Sequence, residues 1–163
     1  GNLKVTFEEL LADKIELNVV DGIILPNLKM AGAEDGCGFL TEEGRCGIHP
    51  FRPGICRLFP LGRYYEENGF CYFLQVHECQ KENRAKVKVK KWLDTPDLKK
   101  YETYIARWHG LLIQLQEFIA AHPESAKAVS MDVLQRFYLT PYRTEEFYSE
   151  FFQRMDEAKK AYC

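Results

Sequence analysis

Residues 37–79 read CGFLTEEGRCGIHPFRPGICRLFPLGRYYEENGFCYFLQVHEC. Five of the chain's six cysteines fall here, with three of its seven prolines and six of its eleven glycines. A stretch so rich in turn formers folds tightly only when something holds its turns together. A metal, an iron–sulfur cluster and disulfides are the candidates. The spacing is C-x8-C-x9-C-x14-C-x7-C, without a C-x-x-C pair. That excludes a standard zinc knuckle, a rubredoxin-type site and a thioredoxin-type redox pair.

Turn-forming residues flank Cys37, Cys46 and Cys56, as loops converging on one point require. Glu42-Glu43-Gly44 reads as the turn of a small hairpin joining Phe39-Leu40 to Arg45-Cys46. His49-Pro50 and Arg52-Pro53-Gly54 bend the chain again, because a residue before proline is pushed towards extended geometry. Residues 61–65 and 70–76 read as two strands around Glu66-Glu67-Asn68-Gly69, Asn-Gly being a favoured hairpin turn. This hairpin places Cys71 on a strand among Phe70, Tyr72 and Phe73, as a packed side chain, and delivers Cys79 just beyond it. Four thiolates form a soft donor set that selects zinc or iron–sulfur over magnesium or calcium. Such a centre is anionic, and Arg45, Arg52, Arg57 and Arg63 are placed to offset its charge and donate hydrogen bonds to sulfur. Other readings stay open. The thiols pack as small hydrophobes, or they pair as disulfides, which the even count permits. His49 and His77 are alternate ligands or ordinary hydrogen-bonded histidines. Cys163 stands apart at the end.

Upstream, a helix is expected over 7–17, with Thr6 and Glu9 at capping-box spacing and Leu10, Leu11 and Ile15 on one side. Gly22–Leu25 reads as a short strand or buried extended segment with Pro26 at its edge or end. AGAEDG is then a loop leading to Cys37. Downstream, residues 81–91, KENRAKVKVKK, carry six basic groups against one Glu. They read as a solvated strand or helix start, with a docking patch for an acidic partner as the sharper alternative. A long helix is expected over 97–121, where Leu98, Tyr101, Ile105, Trp108, Leu112, Leu115 and Ile119 recur at helical spacing. Pro96 is assigned to its first turn and His122-Pro123 to its end. Two more helices are expected over 125–138 and 144–161. The last has Thr144 as cap and a core stripe of Phe147, Phe151, Phe152 and Met155.

A length of 163 residues with 46% hydrophobic and 13% aromatic content supports a real core, so the chain does not need a metal merely to fold. The net charge of −2 argues against wholesale nucleic-acid binding. No apolar run approaches the roughly 20 residues of a membrane span. GNLKVTFEELLADK lacks the apolar segment of a signal peptide, so the expected compartment is the cytoplasm, where clustered cysteines bind metals or do redox work more often than they pair. The expected fold class is α+β. A small, loop-rich β unit carries the cysteine cluster and packs with an N-terminal helix and about three C-terminal helices. The division expected is a cysteine-cluster domain over 1–95 and a helical extension over 96–163.

Cys37-x-Phe39-Leu40, Gly44-Arg45-Cys46-x-Ile48, Arg52-Pro53-x-x-Cys56-Arg57-x-Phe59-Pro60, Cys79 and Trp92-Leu93 together resemble a known family. It is the zinc- or iron-chelating cysteine-cluster family with the CxxCxxCC signature, whose relatives include flagellin lysine-N-methylase-like proteins. The resemblance spans roughly residues 5–95. It implies a centre of zinc, iron or an iron–sulfur cluster, with the family pattern falling on Cys37, Cys46, Cys56 and Cys79. One departure stands out: the CxxCxxCC cluster itself is absent upstream of Cys37, so either it precedes residue 1 or this member lacks it. The function expected is metal binding. The alternatives are a cluster-dependent protein-modifying enzyme of the lysine N-methylase type and a metal-stapled module that binds a protein partner. No glycine-rich cofactor loop, HExxH or nucleophile elbow independently supports catalysis.

Overall fold

The computed structural model describes residues 3–31, 36–67, 69–78, 82 and 85–163. The fold is α+β: the described residues form helices and three two-stranded antiparallel sheets.

The expected capping box starts the first helix. Thr6 Oγ1 accepts the Glu9 N–H at 3.1 Å, and the Thr6 N–H donates to Glu9 Oε2 at 2.6 Å. Helix α1 then runs over Phe7–Asp13, shorter than the 7–17 expected. Lys14 closes it by donating its N–H to Leu10 O at 2.9 Å, and Ile15–Val20 becomes strand β1. The cause lies just downstream. Asp21 and Gly22 both take positive φ, 49° and 84°, the backbone of a two-residue hairpin turn. That turn folds strand β2, Ile23–Leu28, onto β1, with Val20 opposite Ile23 and Ile15 opposite Leu28. The pairing and the β-branched Val19 and Val20 outweigh helix formation beyond Lys14. Pro26 lies within β2, opposite Leu17; a two-stranded sheet has only edge strands, which tolerate it. Short strands β3, Met30–Ala31, and β4, Gly36–Cys37, pair next, with Met30 opposite Cys37. Residues 32–35 of the expected loop lie outside the described residues.

By packing, the chain divides into one unit of Gly1–Ile48 with Trp108–Cys163 and a second of His49–Arg107. Within the second unit, helix α2 spans Gly54–Leu58. The expected hairpin follows as β5, Leu61–Glu66, and β6, Gly69–Leu74, in the register Leu61 opposite Leu74. Asn68 lies outside the described residues. Helix α3 covers Val89–Leu93. Helix α4, Leu98–Ala121, matches the expected long helix. Asp97 Oδ1 accepts the Lys100 N–H at 3.3 Å at its start, and Pro96 lies in the preceding turn, not in the helix. Buried apolar side chains in this unit are few: Leu58, Leu93 and Tyr101. Arg63 Nη2 donates to the Tyr101 hydroxyl at 2.8 Å and so ties the hairpin to α4. Gly54 is required where it stands, because a Cβ there would meet Tyr101 Cζ at 2.9 Å.

The first unit holds the main core. A 3-10 turn over Pro123–Ser125 leads into helix α5, Ala126–Leu134, which loosens into a π-helical turn over Gln135–Leu139. A second 3-10 turn, Thr144–Glu146, precedes helix α6, Phe147–Tyr162. The Thr144 side chain, the expected cap, lies outside the described residues. Leu111, Leu115, Val129, Val133 and Met155 are fully buried. The Trp108 ring centroid lies 4.8 Å from Phe137 and 5.4 Å from Phe151. The α6 stripe is therefore core at Phe151 and Met155, with Phe147 and Phe152 half-buried. Arg154 lies 3.8 Å over the Tyr142 ring and donates to Arg136 O, Thr140 O and Pro141 O at 2.7, 2.8 and 2.7 Å. It thereby satisfies carbonyls around the end of the π turn.

One buried polar side chain ties the first hairpin to this core. Ser130, only 2% exposed, accepts the Ile24 N–H at 3.2 Å and donates to Gly22 O at 3.5 Å. Ser130→Ala leaves the Ile24 N–H without a partner beside α5. It is expected to cost about 1–2 kcal/mol of stability, read as a lower urea midpoint with an unchanged m-value.

Candidate metal centre

The loop carrying the first two candidate ligands is hung from the end of α1. The Lys29 N–H donates to Lys14 O at 2.9 Å, and the Gly38 N–H donates to Lys29 O at 3.1 Å. This relay fixes β4 and Cys37 beside the first hairpin. From Cys37 the chain turns at once, with the Leu40 N–H on Cys37 O at 2.9 Å. Leu40 then pairs with Cys46 as an antiparallel bridge. Between them, the Thr41 N–H donates to Arg45 O at 2.7 Å and the Gly44 N–H to Thr41 O at 2.9 Å. Gly44 sits at φ 70°, a left-handed backbone suited to glycine. The Gly47 N–H closes the hairpin on Phe39 O at 2.8 Å. The expected Glu42-Glu43-Gly44 turn is thus formed; Cys46 stands within the hairpin opposite Leu40, and Cys37 precedes it on β4 opposite Met30. Both are half-buried and neither is in a disulfide.

Cys56 belongs to the second unit. It is half-buried on α2, with its N–H on Pro53 O at 3.0 Å. Two details of the expected picture change. Cys56 is on a short helix and Cys37 in a two-residue strand, where turns were expected at both; only Cys46 lies in a turn region paired by a single bridge. Pro53 explains the first, because its fixed φ suits a helix start. Cys71 is on β6 opposite Tyr64, as expected, but exposed where a packed side chain was expected. It lies on the open face of a hairpin that has no third strand. His49 and His77 are both exposed. Cys79 lies outside the described residues. Because Cys37, Cys46, Cys71 and Cys163 form no disulfide, the three-bridge framework that six cysteines permit is not adopted.

The arginines are not used as the spacing suggested. Arg57 spends its guanidinium on backbone carbonyls: Nε on Arg52 O at 3.2 Å, Nη1 on Asp94 O at 3.1 Å and Nη2 on Pro50 O at 2.9 Å. It locks the turns on either side of Pro53 and the end of α3 into one frame. Arg63 turns to Tyr101 and lies 5.4 Å over the Phe70 ring. The Nε atoms of Arg52 and Arg63 are both buried without a hydrogen-bond partner, and Arg52 lies in the turn immediately before the Cys56 helix. A buried cationic N–H left without an acceptor costs stability unless something anionic satisfies it.

Among the described residues no three His, Cys, Asp or Glu side chains are gathered as a metal ion requires. The donor chemistry nevertheless fits zinc or iron: soft thiols, half-buried, outside disulfides, two of them on one backbone-pinned segment. Neither of two surface grooves, one beside Phe39 and one beside Tyr142, is lined by cysteine. The supports that sequence reading missed are the Lys14–Lys29–Gly38 relay and the carbonyl clamp of Arg57. The first is made by backbone atoms and leaves no side-chain signature.

Fold and site together define an α+β protein that presents half-buried cysteines on short elements: a two-residue strand, a bridged turn and a one-turn helix. The model of the CxxCxxCC family, described as "Putative zinc- or iron-chelating domain", matches residues 4–88, more than half of the 163 residues, and the chain belongs to this family. No curated protein and no solved structure matches it. Among the described residues no helix is long and apolar enough to cross a membrane.

Arg57→Ala removes three carbonyl contacts at once. It is expected to destabilise the second unit by about 2–3 kcal/mol, seen as faster amide exchange over residues 50–58 and 90–95. Arg57→Lys should not restore protection, because a single ammonium lacks the planar fork that reaches all three acceptors.

Proposed function

We propose that this chain binds zinc or iron through thiolates, with Cys37, Cys46, Cys56 and Cys79 as the ligands. The carrying observation is the backbone-pinned segment with Cys37 on the strand just before the hairpin and Cys46 within it, both half-buried and outside disulfides, within the residues matched by the metal-chelating family. A bound metal would staple the turns of a small unit whose own apolar core is slight, and thiolate ligands would make its retention pH-dependent. The unpartnered Nε of Arg52 is suited to an anionic centre next to Cys56. Of the two kinds of centre, zinc would be structural, while an iron–sulfur cluster would add redox chemistry. A reducing compartment such as the cytoplasm would keep these thiols competent. The enzymatic alternative, methyl transfer to lysine, has only the family resemblance behind it.

The test is metal analysis and visible absorption of protein purified without oxygen. About one equivalent of zinc in a colourless sample is expected for a zinc site, or about two to four equivalents of iron with a broad brown absorbance for an iron–sulfur cluster. Serine at 37, 46, 56 or 79 should each lower the metal content, whereas Cys71→Ser should leave it unchanged. Protein that keeps its fold yet holds neither zinc nor iron after reconstitution would overturn the reading.

A further inference from the structure

The second unit carries a cationic, apolar surface that the metal reading does not use. Helix α3 packs on α2, and the Trp92 indole N–H donates to Phe59 O at 3.0 Å. Arg57 fastens the same corner through Asp94 O. The tryptophan ring is therefore held in one orientation, yet it is 46% exposed; Phe59 beside it is 52% exposed and Ile55, one helical turn earlier, 63%. A protein that needed only to fold would turn these side chains inward, and this unit buries few others. The same short helix carries Lys90 and Lys91, with Lys88 as its N-cap one turn before Trp92, all exposed and with no ion pair among the described residues. No acidic side chain interrupts Ala85–Leu93; the first is Asp94.

We propose that this α2–α3 surface docks an acidic segment of another protein, one that places apolar side chains against Trp92, Phe59 and Ile55 and carboxylates against the three lysines. A pre-oriented tryptophan on a helix that bears unpaired lysines has the features of an interface hot spot: a rigid aromatic anchor that loses little freedom on binding, and charge that steers the approach. The charge pattern selects the occupant. Lysines without acidic neighbours seek an anionic partner, and the apolar group that includes Trp92 asks for side chains that fill it.

The experiment places a photo-crosslinking p-benzoylphenylalanine at Ile55 in the full chain, in extract of the source cells, and sequences the crosslinked peptide. The segment found is then synthesised and titrated calorimetrically against the wild type and against K88E/K90E/K91E. An Asp/Glu-rich segment with apolar residues is expected, its affinity falling about tenfold or more in the triple variant and also with added salt. The melting temperature of the variant should match that of the wild type, because the lysines make no internal ion pairs. The proposal is overturned by a crosslink to nucleic acid, lipid or a second copy of this chain, by no crosslink at all, or by a segment bound equally well by the charge-reversed variant. Metal content is read in parallel, so loss of docking with metal retained separates this surface from the cysteine centre.

Discussion

Two backbone hydrogen bonds, Lys29 to Lys14 and Gly38 to Lys29, carry more of this architecture than any side chain does. They join the end of α1, the end of the first hairpin and the start of the cysteine loop into one continuous path. Buried backbone groups must find partners, and here doing so also fixes where Cys37 points its chain. Everything from Cys37 to Gly47 is then positioned by further backbone bonds of the same kind. Leu40 returns to Cys37, and Gly47 returns to Phe39. The loop is held before any metal arrives, which lowers the ordering cost of binding one.

The second unit solves its problem differently. It has little apolar core, so polar clamps replace burial. Arg57 gathers three carbonyls, two from the segment just before Pro53 and one from the end of α3. Arg63 couples the hairpin to α4 through Tyr101, and lies over the Phe70 and Tyr101 rings. Facing it across the hairpin, the Tyr72 hydroxyl is buried without a hydrogen bond. Burial, with Glu102 nearby, pushes its phenol up to about 12. The unit thus spends Arg57 and Arg63 as scaffold, while the Nε atoms of Arg52 and Arg63 stay buried without a hydrogen-bond partner.

Much of the fold was legible in short patterns. The Thr6–Glu9 capping box, the Glu42-Glu43-Gly44 turn, the Gly69 hairpin and the long helix from residue 98 all follow from local dihedral preferences and apolar periodicity. One local signal was misread. Asp21-Gly22 is a strong hairpin cue, yet the apolar side of α1 continues through Ile15, so the expected helix runs over residues 15–17, the first half of β1. The π turn at Gln135–Leu139 had no such cue, because it depends on how Arg154 and Tyr142 pack against it.

The sequence by itself determined the donor chemistry and the family. Cysteine identity and spacing, with the RPxxCRxFP run, are matters of composition and order along the chain. It also determined the elements whose causes lie within a few residues. Tertiary structure alone decided the rest: that Arg57 serves carbonyls, that Ser130 buries its hydroxyl against Ile24 and Gly22, and that Trp92 is anchored by its N–H while its ring stays open. These choices pair residues that lie anywhere from 5 to 108 positions apart, and 33 or more apart in all but the Arg57 contacts to Arg52 and Pro50. Such partners are selected by competition among all the groups that packing brings within reach, a quantity that no local pattern records.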